Sequence, residues 1–191
     1  MPRNLILYGL AVIVGLIAYG VLRSLLGGEI MMIVALIVVV LVGVIMFRNL
    51  KTNRKVAEAT PEQRTQALAF APDAGKAALY VFRNQFVGRA VGVNVLIDGR
   101  EAAQLKSPRF TRILLAPGAH RIAGYTGTNK KPEDGAGLAF TANAGEVLVM
   151  KCEVEAQVVG VTVKVTPLAL DAARADVGKI ARMVTPDVAE I

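Results

Sequence analysis

A chain of 191 residues that is 54% apolar and carries a formal net charge of +7 leaves room for one ordinary domain beside any membrane segment. Its single cysteine forbids an internal disulfide. The apolar excess is local: residues 4–22 and 30–47 hold no charged side chain, while every later stretch is interrupted by Lys, Arg, Asp or Glu, which excludes an explanation by a large soluble core alone.

Leu5 to Leu22 and Ile30 to Phe47 are each long enough, at about 1.5 Å rise per residue, to cross a hydrocarbon core of roughly 30 Å. They are expected to form a transmembrane helical hairpin within residues 1–48, with Gly27 and Gly28 in the short connection. Ala11, Gly15, Ala35 and Gly43 would permit close backbone approach, although small residues are common in membrane helices. Ala18-Tyr19-Gly20 loosely resembles a signal cleavage site, but the apolar run exceeds the usual 7–15 residues and favours retention.

Basic residues flank the hairpin on its outer ends, Arg3 before it and Arg48, Lys51, Arg54 and Lys55 after it, against Arg23 alone between the helices. The positive-inside rule then places both termini and the soluble part in the cytoplasm; a periplasmic soluble part is the alternative. The same four residues, Arg48 to Lys55, are candidates for contact with anionic lipid at the membrane surface.

Residues 49–75 read as a juxtamembrane linker. Within it Thr60-Pro61-Glu62-Gln63 is a capping-box pattern with proline at the first helical position, predicting a short helix over about 61–70. From residue 76 the periodicity becomes alternating. Strands are predicted at 77–83, 93–97, 100–105, 110–115, 119–125, 138–141, 146–155 and 157–166. Asp98-Gly99 is the strongest hairpin signal, and Pro117-Gly118 marks another turn. In the last strand Val159, Val161, Val163 and Val165 share a core face. Leu170, Ala173, Val177 and Ile180 then recur at helical spacing, predicting an amphipathic helix over about 168–182 and a tail at 185–191. The fold class is thus mainly β: a small antiparallel β-sandwich over 76–184 with a C-terminal helix, behind the hairpin.

The run AALYVFR, the hairpin GVNVLIDGREAAQL, and LLAPGAHRI followed by a β stretch and a helix together resemble the bacterial family known as domain of unknown function 2846, which is similar to PEGA-type β-sandwiches. The resemblance covers about residues 76–182. It implies a sandwich at the cell envelope with no established activity, and it brings no catalytic residue. Two helices in place of a lipobox cysteine depart from that family's secreted or lipoprotein setting.

Candidate chemistry is sparse. His120 is the only histidine, and with Cys152 it falls short of a zinc ligand set. Cys152 shares a strand face with Leu148, Met150 and Val154, the setting of an inert thiol. Neither Ser24 nor Ser107 sits in a nucleophile elbow, and no phosphate loop or dinucleotide fingerprint occurs. No catalytic residue, cofactor or metal is therefore expected.

Residues 100–131 hold seven basic side chains, Arg100, Lys106, Arg109, Arg112, Arg121, Lys130 and Lys131, and one acid, Glu101. They would form a basic face for anionic lipid or an acidic partner, or else pair with the acids after residue 132. The favoured reading is pairing, and few aromatic residues argues against nucleic acid. The expectation is a membrane-anchored, non-enzymatic interaction or structural module that binds another protein. The alternatives are anionic-lipid docking and a subunit whose active site a partner completes.

Overall fold

The computed structural model describes residues 3–86, 88–127, 131–133, 135–157, 161–188 and 190–191. Residues 1–47 and 48–191 are two compact units.

In the first unit α1 (Arg3–Leu26) and α2 (Gly28–Lys51), the latter running on into the second unit, are separated by Gly27 alone. Gly27 adopts φ 81°, and its N–H donates to Arg23 O at 3.2 Å while its own carbonyl accepts from Met31 N at 3.2 Å. The predicted seven-residue connection thus shrinks to one glycine, because only glycine enters this left-handed conformation without strain. Helix α1 continues through Ala18-Tyr19-Gly20.

Every described side chain from Ile13 to Leu25 is exposed, and from Ile30 to Val44 only Met31 is buried. No close approach is built at the small residues. Nothing lies within 4 Å of where a Cβ would stand on Gly15 or Gly43, and the Ala11 side chain lies outside the described residues. Among the described residues no helix is long and apolar enough to cross a membrane.

The second unit contains two four-stranded sheets. One has the order β4 (Arg109–Leu115), β1 (Ala77–Arg83), β7 (Val147–Ala156), β8 (Val161–Leu168). The other has the order β3 (Arg100–Leu105), β2 (Val93–Ile97), β5 (Gly118–Thr126), β6 (Leu138–Ala142). The predicted hairpin forms at Asp98-Gly99, where both residues take positive φ, 50° and 75°, as a type I′ turn demands. Alternate residues of both sheets, including Leu79, Val81, Val95, Ile97, Ile113, Leu115 and Met150, meet in one apolar core.

The expectation of a purely antiparallel sandwich needs correction, since β1 and β7 pair in parallel. Strand β1 is buried along its whole length. Its inner face belongs to the sandwich core, and Ala78, Tyr80 and Phe82 on its outer face pack with Ala67 and Phe70 and with Ala173, Val177 and Ile180. Those residues belong to α3 (Pro61–Ala67) and the turn after it, and to α4 (Leu170–Gly178) and its continuation. A strand covered on both sides carries no alternation by which its partner's direction could be read.

Both helices are shorter than predicted. The capping box forms, with Gln63 N donating to Thr60 Oγ1 at 3.3 Å and Thr60 N to Gln63 Oε1 at 2.9 Å. Helix α3 nonetheless stops at Ala67 because Phe70 turns to φ 51° and stacks its ring on Tyr80 with centroids 4.7 Å apart. Helix α4 begins only after β8 ends at Leu168, and Arg64 donates to the carbonyls of Gly178 and Ile180 at its close. The valine face of β8 is also less buried than its sequence implies. Val161, Val163 and Val165 alternate inward but remain half-buried on an edge strand, and Val159 lies outside the described residues.

The largest correction concerns the supposed linker and tail. Glu58 bridges to Val184, Ala59 N donates to Met183 O at 2.9 Å, and Thr185 N to Ala57 O at 3.0 Å. The C-terminal residues run on along β4: Val184 N donates to Phe110 O at 2.8 Å and Ile191 N to Leu114 O at 3.0 Å. Asp187 N reaches Ala102 O of β3 at 2.7 Å. Residues 52–59 and 183–191 thus close the side of the sandwich where β3 and β4 are edges, with Val56, Val184, Val188 and Ile191 packed on the core. The domain begins at the end of α2, and the last residues are part of its wall.

Candidate functional site

Three residues after α2, Thr52, Asn53 and Arg54, are anchored to the domain by polar contacts. Gln104 on β3 donates from Nε2 to Thr52 O at 3.2 Å and accepts at Oε1 from Arg54 N at 2.7 Å. Its Nε2 also meets Asn94 Oδ1 at 2.8 Å, so one buried amide ties β2, β3 and the segment together. Asn53 accepts from Gly92 N at 2.7 Å and donates to Ala90 O at 2.9 Å. Glycine is required where this segment passes: a Cβ on Gly92 would lie 2.7 Å from Asn53 Oδ1, and one on Gly127 would lie 2.2 Å from Thr52 Cβ.

Of the four predicted lipid-contact residues, Arg48, Lys51 and Lys55 are exposed. Arg54 is engaged within the domain, 2.8 Å from Asp187 and 3.5 Å from Glu101. Glu101 also accepts a short hydrogen bond from the Tyr125 hydroxyl. Burial, reinforced by the neighbouring carboxylate, pushes that phenol up to about 12.

The basic residues of 100–131 do not gather on one face. Arg109 and Arg112 lie on β4 in the first sheet, Arg100 and Arg121 on β3 and β5 in the second. Arg109 pairs with Glu58 at 2.9 Å, while Arg112 stands 3.6 Å from Asp73 and donates to Ala71 O at 2.8 Å. The partners of these two are acids of residues 49–75 rather than those after residue 132, because that segment is folded onto the domain. Lys106 is half-buried, Lys131 is exposed, and Lys130 lies outside the described residues.

His120 on β5 is held at both ring nitrogens. Nδ1 lies 2.7 Å from Asp98 Oδ2 and Nε2 lies 2.8 Å from Ala116 O, while Asp98 Oδ1 accepts from Arg121 N at 2.8 Å. Burial acts to lower the imidazole pKa, but the hydrogen bonds to Asp98 and Ala116 and the Asp98 charge outweigh it, and the net shift is upward. With a carbonyl on one nitrogen and a carboxylate on the other, the ring serves best as a double donor. No nitrogen is left to accept a proton from a substrate, so the pair clamps the Asp98-Gly99 turn to β5.

A raised folded pKa means that this stabilisation is fully present below the unfolded value of about 6.5 and is lost as pH rises through the folded value. The chain has one histidine, so its imidazole resonances report a single site. Wild type is expected to titrate above about 6.5. Asp98→Asn keeps a residue tolerant of positive φ but removes the charge, and is expected to lower the midpoint; an unchanged midpoint would exclude the clamp.

Cys152 is fully buried in the core, and burial pushes its thiol up to about 12, the opposite of an activated nucleophile. Nearby Arg83 is also fully buried, a feature that its place at the end of a strand did not signal. Its guanidinium donates to Val91 O and, at 2.8 Å, to Gly88 O, gathering residues 84–92 into a loop around it. Gln85 in that loop imitates a strand residue against Val154, donating from Nε2 to its carbonyl at 2.7 Å and accepting from its N–H at 2.8 Å.

An open groove of about 350 Å³ lies between β5 and β8, lined by Ile122, Leu138, Val161, Val163 and Val165. Its lining is mostly apolar and brings no converging set of titratable groups. Among the described residues no group of three or more His, Cys, Asp or Glu is placed to hold a metal ion. Comparison of the chain with protein families, with curated proteins and with solved structures finds no match.

Proposed function

We propose that this chain is a membrane-anchored, non-enzymatic interaction or structural module, in which α1 and α2 span the bilayer and the β-sandwich is presented beside it to bind another protein. One observation carries the reading. Two 24-residue helices, each about 36 Å long at 1.5 Å per residue, expose apolar side chains around their whole described circumference. A helix apolar on every side is stable only when covered on every side, and among the described side chains of these two helices only Met31 is buried. The uncharged sequence runs 5–22 and 30–47 match the length of a spanning segment.

The charge distribution supports cytoplasmic placement of the domain at a bacterial inner membrane, which departs from the secreted or lipoprotein setting of the family it resembles. The dispersal of Arg100, Arg109, Arg112 and Arg121 over two sheets weighs against lipid docking through them.

Alkaline extraction of membranes tests the anchor. Wild type is expected to stay in the pellet, whereas Val39→Arg, with a cost of about 2.5–3.5 kcal/mol at a helix centre, shifts chain to the supernatant. Wild type recovered in the supernatant would refute spanning. A reporter fused after Ile191 that is active only outside the cell is expected to stay silent.

A further inference from the structure

Among the described residues from 48 onward, one large apolar side chain is exposed: Phe86, at 82%. It stands in the 84–92 loop, whose base is fixed by Arg83 and Gln85 and whose tip turns back through Arg89 N donating to Phe86 O at 3.3 Å. That loop is bound to Asn53, two residues beyond the end of α2 at Lys51. Phe86 is four residues from the tethered Ala90, so the chain can carry it no more than about 14 Å away. Gly127 packs against Thr52 at the same place.

Residues 48–55 and 84–92, which meet there, contain no Asp or Glu, nor does the sequence from Gly127 to Lys131. They contain Arg48, Lys51, Lys55, Arg89 and Lys131, all exposed, besides Arg54, which is held by Asp187 and Glu101. An exposed aromatic ring on a loop tied to Asn53, with exposed cations and no acid in these stretches, matches the chemistry of a bilayer interface, where aromatic rings settle at headgroup level and cations meet anionic lipid.

We infer that the 84–92 loop is a second membrane contact: Phe86 enters the interfacial layer while Arg89, Lys131 and the residues after α2 bind anionic headgroups, fixing the domain against the bilayer. This rests on the anchoring proposed above.

The chain has no tryptophan, so Phe86→Trp supplies a single reporter. The full chain is reconstituted in vesicles of phosphatidylcholine with phosphatidylglycerol, with bromine on the acyl chains as quencher. Phe86→Trp is expected to emit at shorter wavelength than free tryptophan and to lose intensity to brominated lipid. Adding Arg89→Glu and Lys131→Glu, or raising salt to 1 M where the Debye length is about 3 Å, is expected to reverse much of both effects.

Val39→Trp, in the middle of α2, is the control. If Val39→Trp is quenched and Phe86→Trp is not, the loop contact is overturned and the anchor stands. If neither is quenched, anchoring itself fails and the loop contact falls with it.

Discussion

A chain ending at Arg182 is expected to lose its cooperative unfolding transition. Of the nine residues removed, 185–191 read in sequence as a tail, yet the nine carry the fully buried Val184, the nearly buried Met183, and the partly buried Val188 and Ile191. Burying one such side chain is worth about 1.5–3 kcal/mol. Their loss would also strip backbone partners from Ala102, Phe110 and Leu114, and the side-chain partner from Thr111, at about 0.5–1.5 kcal/mol each. The total exceeds about 5 kcal/mol, comparable with the roughly 5–15 kcal/mol that holds a whole domain together. Urea denaturation of the full chain and the truncated chain in the same detergent, followed by circular dichroism, measures it. Val184→Ala is the graded version, expected to lower stability by about 2 kcal/mol while leaving a single transition. An unchanged midpoint for the truncation would mean that the β3 and β4 edges are stable when bare.

Why this wall was invisible in sequence is a matter of range. The strands were legible because alternation over five to ten residues is a local property, as in Val93, Val95 and Ile97. Asp98-Gly99 was legible because the turn's positive φ values restrict residue type at those very positions. The capping box at Thr60 was legible for the same reason. Residues 52–59 hold only Val56 as a large apolar side chain, and their attachment depends on Gln104, 50 and 52 residues further along the chain. No period marks such a segment as structural. The same blindness affected the charges: Arg109 and Arg112 were matched with acids from the wrong part of the chain, because Glu58 and Asp73 were thought to lie on a linker.

For function, the uncharged helical runs are legible in sequence and the loop proposed to contact the membrane is not. A spanning run announces itself by length and lack of charge. Phe86 is a single aromatic residue in a short stretch without a period, and only its exposure and its loop's tether to Asn53 distinguish it from any other loop residue.

Replacing Arg83 is expected to free that loop while the two sheets stay folded. The arginine is fully buried, and with the Cys152 thiol pushed up to about 12, the thiol is neutral at pH 7 and offers no counter-charge. Its stabilisation therefore comes from the planar fork, which donates to Val91 O and Gly88 O and fixes both ends of one turn at once. Arg83→Met keeps most of the volume but strands Val91 O, a penalty of about 1–3 kcal/mol, while Gly88 O keeps its bond from Val91 N. Arg83→Ala adds a cavity and is expected to lose about 3–5 kcal/mol in all. Limited proteolysis separates a local effect from a global one. Cleavage within 84–92 should accelerate in Arg83→Met under conditions where the rest of the domain resists. In the Phe86→Trp background the same substitution should weaken quenching by brominated lipid, since a ring on a loosened loop is no longer held toward the bilayer. If Arg83→Met equals wild type in both stability and proteolysis, the guanidinium merely fills space, and the loop owes its shape to Gln85 and Asn53 alone.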